Sequence, residues 1–284
     1  MDAEGAFIIV IRKSSSHKIG WKVDLSFKID LHHKDLSLLK SIQAYFGGIG
    51  NIYYNNQRNT VNLIVGSLEE IKVIISHFDK YPLISQKLAD YLLWREVFMM
   101  ISRKEHLNPE GLQAILNIRA SINSRLSKSL TEAFPDTVAV KRPLVDNPKI
   151  PDPQWVAGFT SGEGCYFINI YKYKSQLGEG VRLGFSIAQH VRDERLMKNF
   201  IEYLNCGNVY FSKEAVYFRV DKFTDLETKI ILFFVKHPIL GVKAEDFKDF
   251  CQVAELMKEK KHLTPEGLSQ IRKIKAGMNR GRST

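Results

Sequence analysis

The chain has 284 residues, 44% hydrophobic and 25% charged, which excludes a disordered polymer and leaves room for two modest cores. Its formal charge of +10 favours a polyanionic partner such as nucleic acid, although a surface of solvated lysines meets the same number. Three cysteines (Cys165, Cys206, Cys251) with no CxxC pair argue against a disulfide framework or structural zinc, no apolar run nears the ~18 residues of a membrane span, and no signal or Arg-rich transit peptide opens the chain.

In chain order, Asp2-Ala3-Glu4-Gly5 comes first, and Ala6 to Lys13 reads as a strand. Lys22 to Leu31 alternates sharply, with Val23, Leu25, Phe27, Ile29 and Leu31 on one face and Asp24, Ser26, Lys28 and Asp30 on the other. Asp35 to Phe46 carries a helical stripe of Leu36, Leu39, Ile42 and Phe46. Asn51 to Asn55 and Thr60 to Val65 form a hairpin around a polar turn, and Leu68 to Tyr81 and Leu83 to Lys104 are helical. Asn108-Pro109-Glu110 starts another helix, with Asn as the cap and Pro at the first helical position.

Residues 126–152 read as an extended linker, because five of the nine prolines (Pro135, Pro143, Pro148, Pro151, Pro153) fall in it or just after it. Beyond it the chain repeats itself. An apolar helix, Trp155-Val156-Ala157-Gly158-Phe159, leads into Ser161-Gly162-Glu163-Gly164-Cys165-Tyr166-Phe167, the counterpart of the opening motif. Leu25-x-Phe27-x-Ile29 with His32 and Asp35 matches Leu183-x-Phe185-x-Ile187 with His190 and Asp193. Gly50-Asn51-Ile52-Tyr53 matches Gly207-Asn208-Val209-Tyr210; Lys80-x-Pro82-Leu83 matches Lys236-x-Pro238-Ile239; Lys87-x-x-Asp90 matches Lys243-x-x-Asp246. His106-Leu107-Asn108-Pro109-Glu110-Gly111 matches His262-Leu263-Thr264-Pro265-Glu266-Gly267, and Asn123 matches Asn279. The offset drifts only from 159 to 156, so two homologous halves, 1–125 and 153–284, are expected to act as a fused dimer.

Each half is expected to be an α+β layer of αββαββα order, one sheet with helices on one face. The other face stays open. It carries Arg12, Ser14, Lys22, Asp24, Ser26, Lys28, Asp30 and Asn62 in the first half. In the second it carries Asn169, Tyr171, Arg182, Ser186, Tyr210, Ser212, Tyr217, Arg219 and Asp221. Such mixtures suit base edges and phosphates, while a plain solvated sheet face is the bland alternative.

Two acids in matched positions, Glu4 and Glu163, point to one site at a pseudo-twofold axis. The small residues Gly158 and Gly162, with Ala157 and Ser161 beside them, would let two motif helices approach closely. Carboxylates at helix C-termini repel the helix dipole and each other unless a cation intervenes. Their oxygens, with the carbonyls of Ala3 and Gly162, suit Mg²⁺ or Ca²⁺. Lys87 and Lys243, each expected after a Pro-led helix start, could stabilise charge growing on phosphorus, with phosphate binding or a plain surface lysine as the bland alternatives. Gln189 could hold a water. The paired histidines His32/His190 and His106/His262 read as structural or phosphate contacts.

The Glu-Gly motifs, with the helix Trp155 to Phe159 before the second, resemble those of the LAGLIDADG homing endonucleases. The paired Lys-x-Pro-Leu and Lys-Glu-His-Leu-Asn-Pro-Glu-Gly segments resemble the single-chain, fungal mitochondrial, intron-encoded subgroup around I-OnuI. The resemblance covers nearly the whole chain. It implies a saddle on a long, nearly asymmetric DNA target, cleaved across the minor groove to leave short 3′ overhangs. Glu4 and Glu163 are then the metal-binding catalytic acids, with Mg²⁺ as cofactor, Ca²⁺ as a non-cleaving substitute and Mn²⁺ as a further candidate. It also implies a monomer acting in mitochondria, with intron RNA as the partner of an alternative maturase role on the same scaffold. The family has a helix before its first acid, whereas this sequence begins at Met1. The first repeat is therefore expected to lack the helix that would pack on Gly158 and Gly162, and an upstream apolar helix is expected to raise stability and activity.

Overall fold

A computed structural model of the chain describes residues 1–122, 126–146, 149–174 and 177–282. Asn123 and Pro148 lie outside the described residues. The chain divides into two compact units, Met1–Asp146 and Asn147–Thr284.

The first unit runs β1 (Gly5–Lys13), β2 (Trp21–His32), α1 (Leu36–Tyr45), β3 (Asn51–Asn55), β4 (Thr60–Val65), α2 (Leu68–Lys80), α3 (Lys87–Ser102), α4 (Pro109–Arg119) and α5 (Lys128–Ala133). Its antiparallel sheet has the order β1-β2-β4-β3. Phe7 pairs with Phe27, and Phe27 with Val65, so the apolar alternation of three strands falls on one face. That face buries an aromatic cluster in which the Phe7 ring lies 5.3–5.5 Å from Phe27, Phe78, Tyr91 and Trp94. Helices cover this face, and the polar face stays open, as the period-two pattern requires.

The second unit repeats the plan after a helix of its own. It runs α6 (Pro153–Glu163), β5 (Gly164–Lys172), β6 (Glu179–His190), α7 (Glu194–Leu204), β7 (Asn208–Ser212) and β8 (Ala215–Val220), with sheet order β5-β6-β8-β7. Then come α8 (Phe223–Asp225), a π-helical turn (Leu226–Ile231), α9 (Leu232–Lys236), α10 (Lys243–Lys258) and α11 (Pro265–Ala276). The π turn absorbs an insertion. Val61 and Val65 match Val216 and Val220 at an offset of 155, whereas Lys80 matches Lys236 at 156. The extra residue falls between buried Leu226 and Ile230, the counterparts of Ile71 and Ile74 in α2. Widening one turn keeps Leu226, Ile230 and Phe234 all pointing inward.

The repeated His-Leu-Asn/Thr-Pro-Glu-Gly segment is a helix start with a tight entrance. Asn108 and Thr264 accept the N–H of Gly111 and Gly267 at 2.8 and 3.1 Å. A Cβ on either glycine would stand 2.0 Å from the carbonyl oxygen of Glu105 or Lys261. The matched glycines are therefore required by backbone approach.

Two expectations change. The stretch read as extended linker holds α5, buries Leu130 and sets Phe134 against Trp21 with ring centres 5.0 Å apart. Val140 donates its N–H to Asn117 O at 3.2 Å, so much of this segment is docked on the first unit. Its apolar side chains supply burial that proline content alone does not reveal. The second change concerns the lysine helices, which begin at Lys87 and Lys243 themselves. Pro82 and Pro238 lie in the non-helical approach to them rather than in the first turn.

Candidate functional site

In the first unit, Asp2-Ala3-Glu4 is a tight turn closed by Gly5 N–H donating to Met1 O at 3.0 Å. A Cβ on Gly5 would meet that carbonyl at 2.9 Å and the Phe27 ring at 3.3 Å, so the chain enters β1 through a position too close for a side chain. Glu4 is left exposed at the mouth of β1. Asp2 points the other way and is 7% exposed. Its Oδ1 accepts the N–H groups of Ile84 and Ser85 at 3.1 and 2.9 Å, which holds the approach to α3. Lys87, the first residue of α3, donates from Nζ to Ala3 O, the carbonyl just before Glu4, at 2.5 Å.

The second unit builds the same arrangement from a full helix. Asp152 caps α6 by accepting Trp155 N–H at 2.8 Å, Pro153 occupies the first turn, and the helix ends at Glu163. Gly164 donates its N–H to Thr160 O with a φ of −71°, a value open to any residue. Space is what demands glycine here, because a Cβ would sit 2.4 Å from Thr160 Cγ2 and 2.7 Å from its carbonyl oxygen. Ser161, the counterpart of Asp2, accepts Leu240 N–H at 3.1 Å and so holds the approach to α10. Lys243 donates from Nζ to Gly162 O at 2.6 Å. Within the expected small-residue face, Gly158 is exposed, whereas Ala157 is buried and its carbonyl accepts Ser161 Oγ–H at 2.9 Å.

The two halves thus share one device. A glutamate follows a carbonyl that an ammonium already engages, and the residue two before the glutamate ties down the lysine's loop. That Asp2 and Ser161 hold the approaches to the lysine helices is not apparent from the sequence. It shows only a hydrogen-bonding side chain at the same repeat position in both motifs. Each lysine helix is also anchored from behind. Arg142 donates to Asp90 at 2.5 Å, and Arg282 donates to Asp246 at 2.8 Å.

Glu163 opens into a concavity shared with Ala188, Gln189, His190 and Tyr217. Gln189 thus shares this concavity with Glu163, whereas its repeat counterpart is Leu31. His32 and His190 each accept a backbone N–H at Nδ1, from Lys34 and Arg192 at 3.3 and 3.2 Å. Burial pushes the Cys165 thiol up, against the lowering field of Lys243, so it offers a neutral thiol rather than a thiolate ligand.

The donors at each acid are hard oxygens, a carboxylate and the adjoining peptide carbonyl, with an ammonium already drawn to that carbonyl. Among the described residues no group of three or more His, Cys, Asp or Glu is placed to cage a metal. That set fits a cation that keeps most of its waters and completes its shell with phosphate oxygens, as Mg²⁺ does, and does not fit a protein-only cage.

The open faces carry most of the expected DNA contacts, arranged differently in the two sheets. On the first, Arg12 and Lys22 pair with Asp24 at 2.9 and 2.8 Å, and Lys28 pairs with Asp30 at 2.8 Å, with Ser26 between them. On the second, Phe167 and Tyr171 lie across Gly184 and Gly180, their cross-strand partners, where a Cβ would meet the rings at 2.2 and 2.9 Å. Arg219 stands 4.9 Å over the Phe167 ring and pairs with Asp221 at 2.8 Å, and Arg182 stands 5.5 Å over Tyr171. Asn169, Ser186, Tyr210 and Tyr217 complete this face, and Ser212 ends β7. Two residues are placed otherwise than expected. Ser14 belongs to the hairpin turn, where its N–H donates to Gly20 O at 2.8 Å. Asn62, between Asp30 and Tyr53, is 7% exposed and so is withdrawn from a base edge as it stands.

The chain matches the family described as LAGLIDADG endonuclease over residues 1–98 and 156–254. Two Neurospora crassa proteins, probable intron-encoded endonucleases 3 and 2, are 39% and 40% identical over 95% and 96% of this chain. The chain spans 51% and 62% of their lengths. Among solved structures, I-SmaMI bound to cleaved DNA is 43% identical with a TM-score of 0.96, covering 99% of this chain and 95% of that one. I-SmaMI has also been seen on an uncleaved DNA target in the presence of calcium ions, again at 43% identity, with a TM-score of 0.95 over 99% of this chain and 96% of that one.

Proposed function

The chain belongs to the LAGLIDADG endonuclease family, and we propose that it is a site-specific double-stranded DNA endonuclease with Glu4 and Glu163 as its metal-binding acids. The observation that carries this reading is the repeated lysine clamp, Lys87 on Ala3 O and Lys243 on Gly162 O, each beside one acid. A divalent metal such as Mg²⁺, when bound, would supply an acidified water and stabilisation of the leaving oxygen of a phosphodiester. Glu4 and Glu163 would hold it through carboxylate oxygens, with the Ala3 and Gly162 carbonyls as further donors. Lys87 and Lys243 put positive charge where it would offset the charge growing on the phosphoryl oxygens. The Gln189 amide, in the concavity with Glu163, can orient water on that side. The open sheet faces would read the major groove, with the two arginines of the second sheet as base readers.

The names of the Neurospora relatives and the I-SmaMI complexes, on cleaved DNA and on an uncleaved target with calcium ions, support hydrolysis of DNA with Ca²⁺ as a binding but non-cleaving substitute. Mn²⁺ as an alternative metal and short 3′ overhangs rest on the motif resemblance alone. Relatives described from cox1 and ND4 introns support a mitochondrial setting. The test is cleavage of a target selected from randomised duplexes. Glu4→Gln or Glu163→Gln should abolish cutting in Mg²⁺ while binding in Ca²⁺ survives. Full-rate cutting by either variant would reject the assigned role.

A further inference from the structure

Behind each lysine clamp lies a buried aspartate in the first turn of the same helix. Asp90 and Asp246 are 5% and 6% exposed and sit three residues after Lys87 and Lys243. At that spacing lysine and aspartate are neighbours on one helix face. A carboxylate this buried needs a charged partner, and the lysine lies about one turn before it on the same helix face. The lysine instead reaches the motif carbonyl, while a different cation meets the aspartate.

The source of that cation is what makes the arrangement informative. In the second unit it is Arg282, just beyond α11. Its Nε and Nη2 donate to Asp246 Oδ1 at 3.1 and 2.8 Å, and Nη2 also reaches Asp249 at 2.5 Å. Asn279 adds its N–H to Asp246 Oδ1 at 2.9 Å, and its side-chain amide donates to Tyr166 O in β5 at 3.0 Å. In repeat register the counterpart of Arg282 is Leu126, which cannot pair. The first unit uses Arg142 instead, from the segment beyond α5. Arg142 Nη1 donates to Asp90 Oδ1 at 2.5 Å and to Ser121 O at 2.6 Å. The same segment docks through Ser121 Oγ–H to Val140 O at 2.6 Å and Gln86 Nε2–H to Val145 O at 3.3 Å. Two arginines that are not repeat counterparts, on two different straps, thus meet the same aspartate of the repeat.

We propose that Arg142 and Arg282 are positioning residues that occupy Asp90 and Asp246 and so keep Lys87 and Lys243 on the motif carbonyls. The proposal rests on the reading above that these lysines act at the scissile phosphates. With the arginine gone, the buried carboxylate captures the lysine three residues away, and the ammonium leaves the acid's side. Each strap then serves one half, and its loss is felt on one DNA strand.

Strand-resolved, single-turnover cleavage of the selected duplex in Mg²⁺ tests this, with Ca²⁺ binding and thermal melting measured on the same variants. Lys87→Ala and Lys243→Ala first identify the strand each half serves. Arg142→Ala should slow the Lys87 strand, and Arg282→Ala the Lys243 strand, by roughly tenfold or more, with Ca²⁺ binding kept. Adding Asp90→Asn to Arg142→Ala, or Asp246→Asn to Arg282→Ala, should restore that strand's rate, because no carboxylate is left to draw the lysine away. A loss spread evenly over both strands, a parallel loss of Ca²⁺ binding, or no rescue by the asparagine overturns the proposal. If an arginine variant does not fold, the same comparison on the Asp→Asn double variant decides, since a strand rate at the wild-type level supports the capture mechanism and a depressed one refutes it. Lysine variants that cut both strands at full rate would defeat the underlying reading instead.

Discussion

The two sheets have the same strand order and the same buried alternation, yet their open faces hold cations by different means. The first is a lattice of lysine, arginine and aspartate, in which each acid sits two residues from a lysine along its strand and Arg12 reaches Asp24 diagonally from the neighbouring strand. The second sets arginines on rings, and the rings lie flat because glycine faces them across the strand. Ion pairs between half-exposed side chains are weak and exchange easily with phosphates or bases. A guanidinium braced by a ring and a carboxylate is preorganised and loses less freedom on meeting a base. The two repeats therefore share the layer that folds and differ in the layer they expose.

Where the halves should behave alike, the expected effect is largest. Gly111→Ala and Gly267→Ala each force a Cβ to 2.0 Å from a backbone carbonyl. Each should cost about 3 kcal/mol in denaturant unfolding, by similar amounts in the two halves. A loss in one half only would show that the repeated helix start is not equivalent.

The sheets should part company at Gly184. Gly184→Ser imports the first sheet's Ser26 and drives out the Phe167 ring, at about 1–3 kcal/mol of stability. Adding Phe167→Ile, the counterpart of Ile8, should recover most of that stability while leaving Arg219 without its ring. Recovery of the base preference as well would mean that the ring does not brace the arginine.

Among single arginines, Arg219→Ala should relax preference at one target position by roughly 1–3 kcal/mol in competition binding. Arg12→Ala, on a side chain 61% exposed, should lower affinity more uniformly and reduce the salt slope by about one. The reverse pattern would transfer base reading to the first sheet.

The smallest expected change compares the cores. Tyr166 stands where the first half has Phe7, and its buried hydroxyl finds no partner among the described residues. Tyr166→Phe should raise stability by about 1 kcal/mol, read as a higher melting temperature. A drop would reveal a partner for that hydroxyl.

Much of this was legible in the chain. The hairpin Asn51–Asn55 and Thr60–Val65 matches its sequence reading residue for residue, and the Asn108 and Thr264 caps lie where the repeat put them. The acids were legible because a motif said twice is hard to produce by chance. The lysines were visible as matched residues, but their hold on the motif carbonyls was not. Local order determined the elements, the duplication and the paired acids, since periodicity, caps and turn residues act over a few positions. Tertiary structure alone decided that Asp2 reaches Ile84, that Lys87 reaches Ala3, that Arg142 and Arg282 converge on equivalent aspartates, and that Phe167 lies on Gly184. Each of these joins segments whose separation along the chain carries no periodic signal, and each depends on which groups burial leaves needing a partner.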